Sequence, residues 1–390
     1  MSEYLRTALA ERATGVDFRP PDLSAIRHAG GGRVRRRHAA AAFVSSGAVA
    51  LVAGLVAVLA VSRGAPHAPV ASPWPLSAVT WAYGSTIHVG EEQVPVGRTV
   101  AAFVRTGAGF AVIDDSNDIY SVTAAGVARI GRLPQAPSPG NSGFHPRVVA
   151  DPRGTLIGWV GEDQRGALTL QTYDQATGQG RSYSTEGALS ADHASFDAID
   201  GRTGYWRTPA GQYLVDLDTG AKRLMDRSVG NLGIYSAAQG MLAFRGTSGE
   251  SGVDAIYAGR SLDSGMRLER FGLVAYLNGL VQSVQVSPTG DWVSLGVAHY
   301  VPLGGNGFGG GSTTADVYDA ITGEQRMFDV PGQGVPLVWL DDVTLQVLSD
   351  TDDDLSLYRC TVTDGSCRLA VDLGRFTTPF PVMPGGSAPW

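Results

Sequence analysis

A short turn sequence recurs three times in this chain, each time at the end of an apolar run. It reads Thr172-Tyr173-Asp174-Gln175-Ala176-Thr177-Gly178, then Val215-Asp216-Leu217-Asp218-Thr219-Gly220, then Val317-Tyr318-Asp319-Ala320-Ile321-Thr322-Gly323. Each copy leads into one more strand-like run: Arg181 to Ser184, Lys222 to Met225 and Gln325 to Val330. A second piece comes about 20 to 30 residues earlier, Val149-Ala150-Asp151-Pro152-Arg153-Gly154, matched by Val286-Ser287-Pro288-Thr289-Gly290. It is followed by an apolar run with Trp159 or Trp292. The unit is thus strand, turn, strand, longer loop, strand, tight turn, strand. Four antiparallel strands in about 45 residues make a propeller blade, which buries its faces only against neighbouring copies.

Counted this way, units fall near 98–133, 144–187, 189–229, 231–273, 281–331 and 335–374, with a fragment at 79–97. From about Val79 onward no helical period interrupts the short β-rich runs and their Gly, Pro, Asn and Asp turns. The sequence therefore predicts an all-β domain over residues 76–390, a seven-bladed β-propeller in which the tail after Arg375 completes the fragment and closes the ring. Six blades with an N-terminal hairpin are the alternative. Closure removes the sheet edges that invite aggregation. Phe110, Trp159, Trp206, Phe244 and Trp292 recur near the second strand of their units and are read as packing between blades. The run Gly304 to Ser312 lacks the Lys of a phosphate-binding loop and is expected to be a flexible exposed loop.

Upstream of the repeats the chain changes character. Ala39 to Ser62 is a run of twenty-four residues without a charge. As a helix it is about 36 Å long, enough for a hydrocarbon core of roughly 30 Å. Its length and the 38 residues before it argue against a cleaved signal peptide. Arg33, Arg35, Arg36 and Arg37 precede it and only Arg63 follows closely, so the positive-inside rule keeps 1–38 cytoplasmic and sends the rest across. Residues 1–38 then form a basic head with short helices over 3–13 and around Leu23 and Ile26. Residues 39–62 form a transmembrane helix, and 63–75, with Pro66, Pro69, Pro73 and Pro75, an extended linker.

Charge follows the same division. The head has eight Arg against four acids, whereas the remainder has 22 basic against 33 acidic residues, so the exported part is a poor partner for nucleic acid. Lys222 is the single lysine, an arginine bias that suggests a high-GC, actinobacterial coding sequence. The two cysteines flank Asp364-Gly365 in Cys360-Thr361-Val362-Thr363-Asp364-Gly365-Ser366-Cys367. That pair marks a hairpin placing Cys360 opposite Cys367, and an oxidising compartment makes the disulfide.

The Asp-x-x-Thr-Gly turns and Ser287-Pro288-Thr289-Gly290, a variant of Ser-Pro-Asp-Gly, resemble the turns of WD-repeat and TolB-like propellers. The layout of small basic head, one span and exported propeller with a Cys-x6-Cys blade is similar to that of actinobacterial single-pass membrane proteins. Some of those are encoded beside alternative sigma factors, which implies a regulatory head with a cytoplasmic partner. The Gly-His and Trp-Asp dipeptides of WD repeats are absent, so no functional residue carries over.

No catalytic signature emerges. Gly246-Thr247-Ser248-Gly249 and Gly140-Asn141-Ser142-Gly143 are not nucleophile elbows. No His-Glu-x-x-His zinc motif occurs, and neither a cofactor nor a metal is expected. Asp350, Asp352, Asp353 and Asp354 lack the Gly and Glu of a calcium loop; with Asp114, Asp115 and Asp118 they are read as exposed acidic turns. The reading is a membrane-anchored, extracytoplasmic binding, scaffolding or sensing module whose partner is a protein, peptide or glycan. The alternative is an exported hydrolase or lyase at the channel mouth, with His145, Asp192, His193 and His299 the first residues to inspect. Protease added to intact spheroplasts is expected to degrade everything after Arg63 and spare a tag placed before Ser2; the reverse protection rejects the orientation.

Overall fold

The computed structural model describes residues 72–134, 148–163, 167–184, 195–208, 211–225, 233–247, 254–261, 268–276, 280–298, 301–303, 307–309, 313–351, 354–375 and 381–385. The expected head, span and most of the linker, with Arg33, Arg35, Arg36 and Arg37, lie outside them. Among the described residues no helix is long and apolar enough to cross a membrane.

Among the described residues seven blade sheets succeed one another along the chain, with an eighth, two-stranded sheet inserted in the sixth blade. Blade 1 takes its strands from Thr80–Tyr83, Thr86–Val89 and Glu92–Pro95, and blades 2 to 7 are four-stranded antiparallel sheets over 102–132, 148–184, 195–224, 233–276, 280–327 and 333–375. Within a blade the first strand is innermost and the last lies at the rim. In blade 2, Ala102–Thr106 is almost wholly buried and Gly126–Arg132 mostly exposed. Alternation of buried and partly exposed positions is weak in the middle strands because both blade faces meet a neighbour.

Seven apolar clusters match the seven junctions. Ile87 and Val94 of blade 1 pack with Phe103 and Phe110 of blade 2. Ala102 and Ile113 of blade 2 meet Trp159 of blade 3, and Leu170 of blade 3 meets Phe196 and Trp206 of blade 4. Tyr205 of blade 4 meets Phe244 of blade 5, whose Met241 and Ile256 meet Val284 and Leu295 of blade 6. Val317 and Trp292 of blade 6 pack on Trp339 and Leu345 of blade 7. The last cluster joins Leu337 and Leu357 of blade 7 to Val79 and Trp81 at the entrance of blade 1. The five recurring aromatics therefore do pack between blades.

Ring closure is made by the C-terminal tail. Val382 donates to and accepts from Ala82, at 2.8 Å each way, an isolated bridge at the place of the missing strand of blade 1. Gly385 N–H then donates to Phe103 O of blade 2 at 3.0 Å. On the other side Gln346 of blade 7, fully buried, accepts from Thr80 N–H at 2.9 Å and donates to Thr80 O at 2.8 Å. The ring has seven blades, not six with a hairpin, and among the described residues the tail supplies a single bridge to blade 1 where whole strands were expected. Cys360 and Cys367 are register partners on the two outer strands of blade 7 and form a disulfide.

Two expectations need correction. Part of the glycine-rich run is ordered: Val301–Leu303 pairs antiparallel with Gly307–Gly309 as a small hairpin inserted in blade 6, because extended glycine backbone still offers N–H and C=O to a ladder. Asp114 is not an exposed acidic turn residue. It is 5 % exposed, and its carboxylate accepts from the amides of Ser116 and Asp118, both at 2.9 Å.

Replacing Val382 by Pro deletes the donor to Ala82 O at a paired, buried position. The variant is expected to lose about 2–3 kcal/mol, read as a lower urea midpoint at unchanged slope. An unchanged midpoint rejects the tail as the closing element.

Candidate functional site

The repeated turns serve the frame. Asp216 Oδ1 accepts from the amides of Asp218 and Thr219 at 2.9 and 2.8 Å, and Asp319 Oδ1 from those of Ile321 and Thr322 at 2.9 and 2.7 Å. The Thr219 and Asp218 amides hold the Asp216 carboxyl below the usual carboxylate range. The closing Gly178, Gly220 and Gly323 adopt φ of 68°, 75° and 73°, which explains Gly at the end of each copy.

A second set of turns, between first and second strands, forms a belt around one end of the ring. Gly107 N–H donates to Gly154 O at 2.6 Å, linking blades 2 and 3. The Asp151 carboxylate of blade 3 accepts from Gly201 N–H of blade 4 at 3.1 Å. Asp200 of blade 4 accepts from Gln239 and Gly240 of blade 5 at 3.0 and 2.6 Å. A Cβ on Gly107 would sit 2.4 Å from Arg153 O, so the belt needs glycine there.

Inside this belt lies a cavity of about 330 Å³. Its walls come from Arg105 of blade 2, Pro152 and Arg153 of blade 3, Pro288 of blade 6, and Trp339 and Leu340 of blade 7, with Leu76 and Ser77 of the entering segment. Blades 3 and 6 are not neighbours, so the cavity sits on the ring axis, at the channel end bounded by these turns. Across it Arg153 pairs with Asp342 of blade 7, both side chains 46 % exposed.

Arg105 is the unusual wall residue. It is 5 % exposed. It donates through Nη1 to Ala78 O at 2.7 Å and through Nη2 to Pro75 O at 2.8 Å. Among the described residues no carboxylate pairs with it, and desolvation lowers its pKa to about 10. It is still a cation at neutral pH. The remaining wall carboxylate, Asp341, is occupied by the amides of Val343 and Thr344 at 3.0 and 2.7 Å.

His145, Asp192, His193 and His299, and also Asp352 and Asp353, lie outside the described residues. Among the described residues no group of three or more His, Cys, Asp or Glu side chains could hold a metal ion. The cavity was not anticipated from sequence. Its signal was present, though: Arg105 interrupts the apolar run Ala101-Ala102-Phe103-Val104, and Arg153 occupies a repeated turn.

No protein-family model and no curated protein sequence matches the chain. Solved structures of similar fold include hydrazine synthase of Kuenenia stuttgartiensis, at 10% identity over 66% of this chain and 76% of that one, with a TM-score of 0.44. A putative TolB from Agrobacterium tumefaciens is 12% identical over 77% of this chain and 86% of that one, with a TM-score of 0.39. A puromycin-hydrolyzing peptidase of Mycobacterium tuberculosis is 13% identical over 79% of this chain and 56% of that one, with a TM-score of 0.43. The propeller assignment rests on the seven sheets themselves.

Half-exposed partners make the Arg153–Asp342 pair a weak link. A double-mutant cycle with Arg153→Ala and Asp342→Ala is expected to give a coupling below about 1 kcal/mol; one of about 3 kcal/mol makes the pair a structural tie instead.

Proposed function

We propose that this protein is a single-pass membrane protein whose extracytoplasmic propeller is a binding module, receiving its partner at the belted mouth of the channel. The observation that supports this most is the axial cavity, where residues from four blades and the entering segment converge around a buried cation. Ligand pockets begin at about 300 Å³ and mix apolar walls with a few placed polar groups, which describes this cavity. The membrane anchor rests on the uncharged run 39–62 and its flanking arginines, and the outward orientation on their asymmetry. A disulfide in blade 7 suits an oxidising compartment. The basic head then lies in the cytoplasm, where a regulatory partner could read occupancy.

The test is positional. A photo-crosslinker at Ser77, on the cavity wall, is expected to capture an exported partner in living cells, whereas one at Thr363, on the rim turn of blade 7, is expected to capture none. Ser77→Trp fills the mouth at an exposed position and is expected to abolish capture without lowering the melting temperature. Capture from the rim alone rejects the mouth. Turnover of peptide, glycan or ester by the purified protein, lost on replacing His145, Asp192, His193 or His299 while the fold persists, favours the enzyme reading.

A further inference from the structure

We propose that the axial cavity is a carboxylate site, taking a ligand with one carboxylate and a short apolar body, with Arg105 as its fixed counter-charge. This rests on the mouth being the binding site and names the chemistry it selects.

The argument starts from cost. A buried ion without an opposite charge is expensive, and two carbonyl acceptors satisfy hydrogen bonds without neutralising the charge. Arg105 has Nη1 and Nη2 each bound to one carbonyl, and a guanidinium has five N–H donors. Among the described residues, donors therefore remain for an anion in the cavity that Arg105 lines. The carbonyl bonds fix the plane of the guanidinium before a ligand arrives, which limits the entropy lost on binding.

Wall composition narrows the class of anion. Leu76, Pro152, Pro288, Val338, Trp339 and Leu340 are apolar, which suits a hydrocarbon body. Asp341 is engaged by backbone amides, and Arg153 is balanced by Asp342. Among the described residues one positive charge remains uncompensated, matching a monovalent carboxylate better than a phosphate dianion. Arg153, on an exposed and weakly held pair at the rim of the cavity, can leave Asp342 and add a second donor to the bound group.

The full-length protein in nanodiscs, titrated with N-acetyl-leucine, hexanoate and N-acetyl-leucinamide and followed by tryptophan fluorescence and melting temperature, tests this. Both acids are expected to bind saturably and raise the melting temperature, and the uncharged amide to bind at least about tenfold more weakly. Tighter binding of N-acetyl-leucine identifies a peptide C-terminus as the source; tighter binding of hexanoate identifies a free acyl acid. Arg105→Gln is expected to weaken both acids at least about tenfold, and Arg153→Gln about threefold. If Arg105→Gln does not fold, the acid–amide comparison on the unmodified protein decides. Equal binding of acid and amide, or no binding of either acid, overturns the proposal. Should the acids fail while Ser77→Trp still abolishes partner capture, the mouth stands and only its ligand chemistry falls.

Discussion

Two backbone hydrogen bonds between Ala82 and Val382 hold the ring shut, and everything else in the structure presupposes them. A blade is apolar on both faces, so an open row of seven would leave two faces in water. Here those faces belong to the junction of blades 7 and 1, where Val79, Leu337, Val338, Leu340 and Leu357 are buried. At about 1.5–3 kcal/mol for each large apolar side chain, that junction is worth on the order of 10 kcal/mol as an upper figure. This is comparable with the whole stability of a typical domain. Contacts between residues some 300 positions apart thus decide whether the domain exists, which implies slow folding.

The frame was legible in the chain because each repeated residue has a local job. Asp174, Asp216 and Asp319 tie their own turns, and the following glycines adopt positive φ, so the pattern survives within seven residues of sequence. Unit boundaries followed from it, and the disulfide from a turn of the same kind. The hairpin at Val301–Leu303 and Gly307–Gly309 was not legible, since glycine backbone pairs without a side-chain period to announce it. Burial of Asp114 was equally hidden: an acid that serves amides looks, in sequence, like one that faces water.

The cavity was illegible for a different reason. Its wall residues, such as Ser77, Arg105, Arg153, Pro288 and Trp339, come from parts of the chain more than 250 residues apart and share no motif. Only the ring brings them together. A lone Arg in an apolar strand is a warning that something polar is wanted nearby, but it does not say from which blade. Carbonyls of Pro75 and Ala78 supply part of the answer, and these belong to no strand at all.

That last contact fixes where the chain joins its wheel. Ser72 N–H donates to Gly107 O at 2.9 Å, and Arg105 grips the carbonyls of Pro75 and Ala78 before the first strand begins. The attachment is at the hub and not at the rim. A pull on Ser72 is therefore delivered first to its bond with Gly107 and then to the Arg105 grip on the wall of the cavity, so that blade 2 is loaded before any other blade. Whatever stiffens the grip therefore also changes the force at which the segment from Ser72 to Ala78 peels from the hub.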